Sequence, residues 1–223
     1  MESADRGCLI RFASTERDFG DACSVRAAAY GHHDPAMGAK LGQGELLDKA
    51  PGTVVILCRD RRTGACLGTT RIQVSGFGPL TLESSVRLPE WLCRRPRAQI
   101  SRLAVVPGAS TVVKLLLMKA CYQHCIATQV RWMVIGARSA ALIRNYRSLG
   151  FSDVFEPGAW VPLASGGGLP HQILALDVLG AEEAWQATRN RLLGFMTDVV
   201  HTDGSTVCAN DAFSRPEPMG FAA

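Results

Sequence analysis

The run from Thr111 to Cys125 is apolar on nearly all sides, broken chiefly by Lys114, Lys119 and a few polar residues. A helix of that composition is stable in water only when other elements cover most of it, so the chain must supply a sheet. The stretch just before it, Gln99-Ile100-Ser101-Arg102-Leu103-Ala104-Val105-Val106, reads as a buried strand, and Pro107-Gly108-Ala109-Ser110 as a turn. A strand that feeds a helix through a small-residue turn leaves backbone N–H groups unpaired at the helix start, where an anionic or carbonyl-bearing ligand can be held. The same joint also serves α/β proteins as a plain connection.

The rest of the chain supplies partners for this unit. Cys8–Ala13 reads as a short strand, and Ser14 or Thr15 caps a helix running to about Tyr30, with Arg26 near the edge of its apolar face. Residues 31–52 show no clear periodicity and are expected to form a binding loop or a disordered insertion. Thr53–Cys58 and Cys66–Val74 form a hairpin, with Arg71 mid-strand among apolar neighbours. The segment 76–92 is loop-rich, with a short helix expected near its end. Arg131–Gly136 and Gln172–Val178 are further strands, and Ser139–Leu149 is a helix ended by Gly150. Gly166-Gly167-Gly168 precedes a strand and not a helix, so it does not read as a phosphate cradle. Ala181–Val200 reads as one amphipathic helix packed on the domain, and residues 201–223 as a flexible tail.

At 223 residues the chain suffices for one core. We expect a single domain over residues 1–180, followed by the helix over 181–200. A net charge of +4 is too small to argue for nucleic acid, and no aromatic residues interleave with the arginine clusters. No apolar run reaches the roughly 20 residues needed to span a bilayer, so no stable membrane insertion is expected. Eight cysteines, several in apolar segments, and an opening Met1-Glu2-Ser3-Ala4-Asp5-Arg6 without signal-peptide character point to reduced thiols in the cytoplasm. Cys121, His124 and Cys125 fall within one helical turn without a fourth ligand, and His32-His33-Asp34 has no partner pair at ligand spacing, so no metal is expected.

Two features together resemble the GNAT acyltransferase superfamily: the strand Leu103-Ala104-Val105 running into the apolar helix, and Asn145-Tyr146-Arg147-Ser148-Leu149-Gly150-Phe151, similar to the family's Tyr-x-x-x-Gly-Phe helix ending. The order of elements from Cys8 to Val178 fits that fold, about four fifths of the chain. The resemblance implies an α/β (α+β) domain with a mixed, mostly antiparallel central sheet flanked by helices. Ile100-Ser101-Arg102, with Arg26, Asp48 and Arg71, resembles more closely the autoinducer (acyl-homoserine lactone) synthases and the long-chain N-acyl amino acid synthases, as does Leu169-Pro170-His171-Gln172-Ile173-Leu174-Ala175-Leu176 the late strand of the latter. It also implies a bacterial source.

Such enzymes move an acyl group from acyl carrier protein or coenzyme A to an amine by direct attack on the thioester. The implied catalytic positions are Asp48 as base, Tyr146 as acid toward the leaving sulfur, and Ser101 and Gln99 of the motif; Arg26, Arg71, Arg102 and Glu45 would bind substrate or fix the acidic loop. Leu103, Ala104, Val105, Gly108, Ser110 and Thr111 would bind the donor. No permanent cofactor is implied, only acyl-phosphopantetheine or acyl-coenzyme A as co-substrate, with a small amine as acceptor. An acidic carrier protein would dock on Arg94, Arg95, Arg97, Arg144 or Arg147. Two departures stand out. Gln99 replaces the branch's usual glutamate, and an amide cannot act as a base. The turn has one glycine where coenzyme A enzymes usually have several, which favours a donor held by its pantetheine arm. A short-chain acetyl-coenzyme A-dependent N-acetyltransferase and a catalytically inactive GNAT-fold binding protein stay open as alternatives.

Overall fold

The computed structural model describes residues 7–198, so the tail expected over 201–223 lies outside them. Eight strands form one sheet: β1 (Cys8–Phe12), β2 (Thr53–Asp60), β3 (Cys66–Val74), β4 (Arg97–Val105), β5 (Trp132–Ala137), β6 (Ser152–Asp153), β7 (Val161–Leu163) and β8 (Leu169–Asp177). The order is β1-β2-β3-β4-β5-β8-β6, with β7 beside β8, and among the paired strands only β4 and β5 run parallel. This is the mixed, mostly antiparallel sheet that the resemblance implied.

Alternation along the strands assigns the two faces. Ile56 and Cys58 of β2 point into one core with helix α4 (Thr111–Ala127), while Val55 and Leu57 point the other way, into a cluster with Ala22 of helix α1 (Glu16–Gly31). Helix α5 (Ala140–Ser148) lies on the α4 face through Ile143 and Tyr146. The α1 face continues over β5 and β8, where Leu80, Leu82, Leu88 and Leu92, the last in the short helix α3 (Glu90–Cys93), cover Val134 and Ile173. Helix α4 packs on β2, β3 and β4 and is covered in turn by a short C-terminal helix, which explains its apolar circumference.

Local chemistry sets the helix starts. Thr15 and Asp18 form a reciprocal capping box on α1, Ser110 Oγ accepts from the Val112 N–H at 3.3 Å to open α4, and Ser139 does the same for α5. At the end of α5 Gly150 adopts φ +95°, and a Cβ there would stand 2.9 Å from Trp185 Nε1, which donates to the Leu149 carbonyl at 3.0 Å. Gly150→Ala is therefore expected to destabilise the protein by about 2–3 kcal/mol. Urea unfolding checks it, and a change below ~0.5 kcal/mol, the usual size for an unconstrained surface site, would refute the constraint.

Two expectations are corrected. Residues 31–52 hold helix α2 (Pro35–Gly42), capped by Asp34 with Pro35 in its first turn, and a 3-10 turn at Leu46–Lys49. Its periodicity is hidden because Gly38 packs on Gly31 and Ala27, where a Cβ would come within 2.5 Å of the Gly31 Cα. The helix expected over 181–200 is instead α6 (Ala181–Ala187) and α7 (Leu193–Thr197), separated where Arg189 takes φ +50°. No described helix is long and apolar enough to cross a membrane.

Candidate active site

The central event is a split in the sheet. β4 pairs with β5 from Arg97↔Trp132 to Ile100↔Ile135 and no further, whereas on its other side it stays paired with β3 as far as Gly68↔Val105. The register with β3 slips between Thr69↔Ala104 and Arg71↔Ser101, so Arg102 and Leu103 together oppose Thr70 in a β-bulge. Arg102 sits there at φ +56°, a conformation costing an arginine on the order of 1 kcal/mol. Its guanidinium contacts hold it in place: Nε and Nη2 donate to Glu45 at 2.7 and 2.6 Å, and Nη1 donates to the Ser165 carbonyl at 3.1 Å.

A cavity of about 510 Å³ fills the split, within the range of small-molecule sites. Leu103, Ala104 and Val105 form one wall and Ile135 and Gly136 the other. Groups from both faces of the sheet line it. Tyr146, Leu142, Thr111 and Lys114 come from the α4–α5 side, and Tyr30, Leu163 and His171 from the α1 side. The cavity thus passes through the sheet and can admit one reactant from each face.

Tyr146 is 5% exposed, stacks near Phe151, and its hydroxyl has no hydrogen-bond partner among the described residues. Burial, reinforced by Tyr30 and Cys121, pushes its phenol well above the ordinary value, so it holds its proton at neutral pH. Ser101 and Gln99 also border the cavity. Ser101 Oγ accepts from Arg71 Nε at 3.2 Å. Gln99 is buried, and its carbonyl accepts from the Leu82 N–H at 2.9 Å, tying the 80–92 segment to β4. That bond needs only an acceptor, so an amide serves it as well as a carboxylate would.

The charged set comes together as one cluster, on the α1 face. Arg26 is fully buried and donates to Asp48 at 2.5 Å; Arg71 reaches Asp48 at 3.3 Å and Glu45 at 3.1 Å; Arg102 closes on Glu45. Of these five, only Arg102 borders the cavity. Asp48 is buried between two guanidinium groups and does not border the cavity. Arg26 and Arg71 likewise hold the acidic turn at 45–48 rather than reach the cavity. Three cations against two carboxylates leave the cluster with one net positive charge, and Arg102 is its member at the cavity.

Burial raises the Glu45 carboxyl, but hydrogen bonds from Arg102 and the charges of Arg71 and Arg26 outweigh it and hold the group at about 2, against an ordinary 4.5. A depressed folded-state pKa gives stability that is complete above the unfolded value and is lost as the pH falls through the folded one. Acid unfolding should carry a Glu45 contribution between about pH 4.5 and 2, on the order of 1–2 kcal/mol after screening by solvent at the part-exposed carboxylate. Glu45→Gln should remove that part of the slope in urea melts taken at stepped pH; an unchanged slope would refute it.

Of the expected donor residues, Leu103, Ala104, Val105, Ser110 and Thr111 border the cavity and Gly108 does not. Ser110 Oγ is engaged in its cap. Lys114 and Arg138 also border the cavity, both exposed and without ion pairs among the described residues. Tyr30, His171, Lys114 and Arg138 were not picked out from the sequence as site residues. Tyr30 carried a signal, since it follows Arg26 by four residues and so shares its helix face. Strand pairing brings in His171 and, just past the end of β5, Arg138, while Lys114 comes from the first turn of α4. Cys121 and Cys125 are core thiols, and burial drives His124 down to about 4, in keeping with an apolar setting beside Phe12.

No protein-family model matches the chain, and no curated protein matches it in sequence. Solved structures do match. The N-acyl amino acid synthase FeeM from uncultured soil microbes superposes with a TM-score of 0.61 at 15% identity, covering 84% of this chain and 97% of that one. An acetyltransferase from Corynebacterium glutamicum gives 0.53 at 18% identity over 77% and 96%. A GNAT-family acetyltransferase from Staphylococcus aureus gives 0.51 at 12% identity over 76% and 99%. With its mixed, mostly antiparallel sheet flanked by helices, this chain has the fold of the GNAT acyltransferases.

Proposed function

We propose that the protein is an N-acyltransferase that moves an acyl group, of long chain, from a pantetheine thioester to the amine of an amino acid or similar acceptor. The carrying observation is the cavity through the sheet, with a protonated phenol on one face and Arg102 of the net positive cluster on the other. The thioester lies in the split with its carbonyl against the β4 backbone, whose N–H groups serve as oxyanion donors. The amine attacks the carbonyl carbon, the π pair moves to oxygen, and collapse expels the thiolate, which Tyr146 protonates. Arg102 attracts the acceptor's carboxylate with the N–H groups it does not spend on Glu45 and Ser165. FeeM as a structural neighbour supports this reading over acetyl transfer.

Two features favour a donor held by its pantetheine arm. The turn at 107–111 offers one glycine, Gly108, and it is off the cavity wall. Apolar side chains line much of the split, which suits an acyl chain. For an acidic carrier protein, the docking side is refined. Arg94, Arg97 and Arg147 are engaged by Glu90, Glu83 and Asp153. Arg97 begins β4, roughly 25 Å along the strand from Val105 at ~3.3 Å per residue, so Arg94, Arg95 and Arg97 flank the wrong end of the strand. Lys114 and Arg138 border the cavity, where a phosphopantetheine phosphate would enter.

The purified protein, given palmitoyl-acyl carrier protein, palmitoyl-coenzyme A or acetyl-coenzyme A with a mixture of the common amino acids, should yield long-chain N-acyl amino acids by mass spectrometry. Acetyl transfer alone would favour the short-chain reading. No transfer from any donor would overturn the proposal.

A further inference from the structure

The reaction needs a base on the face from which the amine arrives, and Asp48 does not border the cavity. Three imidazoles border the cavity, those of His32, His33 and His171; His32 and His33 are exposed just past the end of α1, and His171 is the part-buried one, held on a strand. His171, at the start of β8, borders the cavity on the α1 face, the same face as Ser101, Arg102 and the charged cluster and the opposite one from Tyr146.

Three observations fix how this ring is presented. First, Nδ1 lies 2.7 Å from the Leu169 carbonyl. A carbonyl can only accept, so Nδ1 carries the hydrogen and the Nε2 lone pair is free. Second, Nε2 has no hydrogen-bond partner among the described residues. Third, the ring is seated between two positions that have no side chain. A Cβ on Gly166 would come within 2.5 Å of Cε1 and 3.2 Å of Nε2, and one on Gly136 would sit 3.5 Å from Cδ2. The triple glycine that closes the β7–β8 hairpin is thus also the seat of this imidazole.

We propose that His171 is the general base, with Nε2 taking a proton from the acceptor's ammonium before attack; this rests on the acyltransfer reading above. The ammonium loses its first proton to Nε2, and the freed lone pair forms the C–N bond as the carbonyl π pair moves to oxygen. Collapse of that tetrahedral oxyanion breaks the C–S bond, Tyr146 protonates the departing sulfur, and the second proton lost from nitrogen passes through solvent to restore the Tyr146 phenol. His171 then returns its proton to water. Charged groups around the ring agree with a base that is neutral between turnovers. Neither β7 nor the 164–166 turn carries a titratable side chain, and the end of β5 contributes the cation of Arg138. Burial lowers the imidazole, the Leu169 carbonyl opposes this in part, and Arg138 lowers it further, so the acid limb belongs below the ordinary 6.5.

The test compares wild type with His171→Gln and Gly166→Ala, using palmitoyl-coenzyme A or palmitoyl-acyl carrier protein and the amino-acid mixture. His171→Gln is expected to lower kcat/KM by about 10²-fold at neutral pH, with the deficit shrinking as the pH approaches the amine's own pKa. A ring with a purely structural role would give a deficit independent of pH. Gly166→Ala, which displaces the ring but keeps it, is expected to lower kcat more than it raises KM. Nitrogen NMR of the free protein supplies a readout independent of turnover: Nδ1–H, a bare Nε2 and a midpoint below 6.5. Wild-type turnover with a His171→Gln profile parallel to it, or a protonated Nε2 at neutral pH, overturns the assignment alone. Absence of turnover in wild type overturns the acyltransfer reading and this assignment with it.

Discussion

Replacing Arg26 with alanine is expected to destabilise the protein by about 3–5 kcal/mol, because it strips a partner from a buried carboxylate. Asp48 would be left with Arg71 alone, at 3.3 Å instead of the 2.5 Å of the lost contact. The loss also propagates. The turn at 46–49 is held onto β3 and β4 through Asp48 and Glu45, and Glu45 in turn holds Arg102 in its left-handed bulge. Urea unfolding of Arg26→Ala measures the effect. The double variant Arg26→Met with Asp48→Leu should recover much of it, since buried ion pairs exchange for apolar residues at little cost. Two guanidinium nitrogens of Arg26, Nε and Nη2, are buried without a partner, so the arginine carries a desolvation cost of its own. A single variant within ~1 kcal/mol of wild type would mean that cost cancels the pair, and the cluster is not what fixes the turn.

Tyr146→Phe is expected to lower kcat by about 10²- to 10³-fold with KM nearly unchanged, the pattern of an acid needed only as the thiolate leaves. The phenol is suited to this role because burial keeps it protonated and, among the described residues, none accepts its hydrogen. Removing the oxygen keeps the ring contact with Phe151, so stability should hold and thermal unfolding of the variant should match wild type. A donor with a more acidic thiol, such as a thiophenyl ester, should recover most of the lost rate, since its thiolate departs without an acid. Loss of rate without that recovery would make Tyr146 a packing residue.

Much of the frame was legible in the chain. Apolar periodicity located α1, α4 and α5, and the cap of α1 was narrowed to Ser14 or Thr15, because capping and amphipathicity are local properties. Alternation and turn residues located β2, β3, β4 and β5 for the same reason. The set Arg26, Glu45, Asp48, Arg71 and Arg102 was named through the resemblance, which allowed the three arginines either to bind substrate or to fix the acidic loop; their mutual ion pairs came with the structure. Helix α2 was missed because two glycines replace the apolar stripe a helix normally shows, and the break at Arg189 was missed because nothing in the local sequence demands a left-handed residue there.

What the sequence determined by itself is therefore the list of elements and, through the resemblance, the list of candidate site residues. Tertiary structure alone decided which of those residues face the cavity. Asp48 and Glu45 are three residues apart, yet one is enclosed by Arg26 and Arg71 and the other closes on Arg102 at the cavity edge. His171 and Tyr146 reach the same cavity from opposite faces of the sheet. That arrangement depends on β4 parting from β5 after Ile100 and on which face each pleat presents. Both follow from strand register, a relation between segments distant in the chain, and one residue of slip would turn every side chain to the other face.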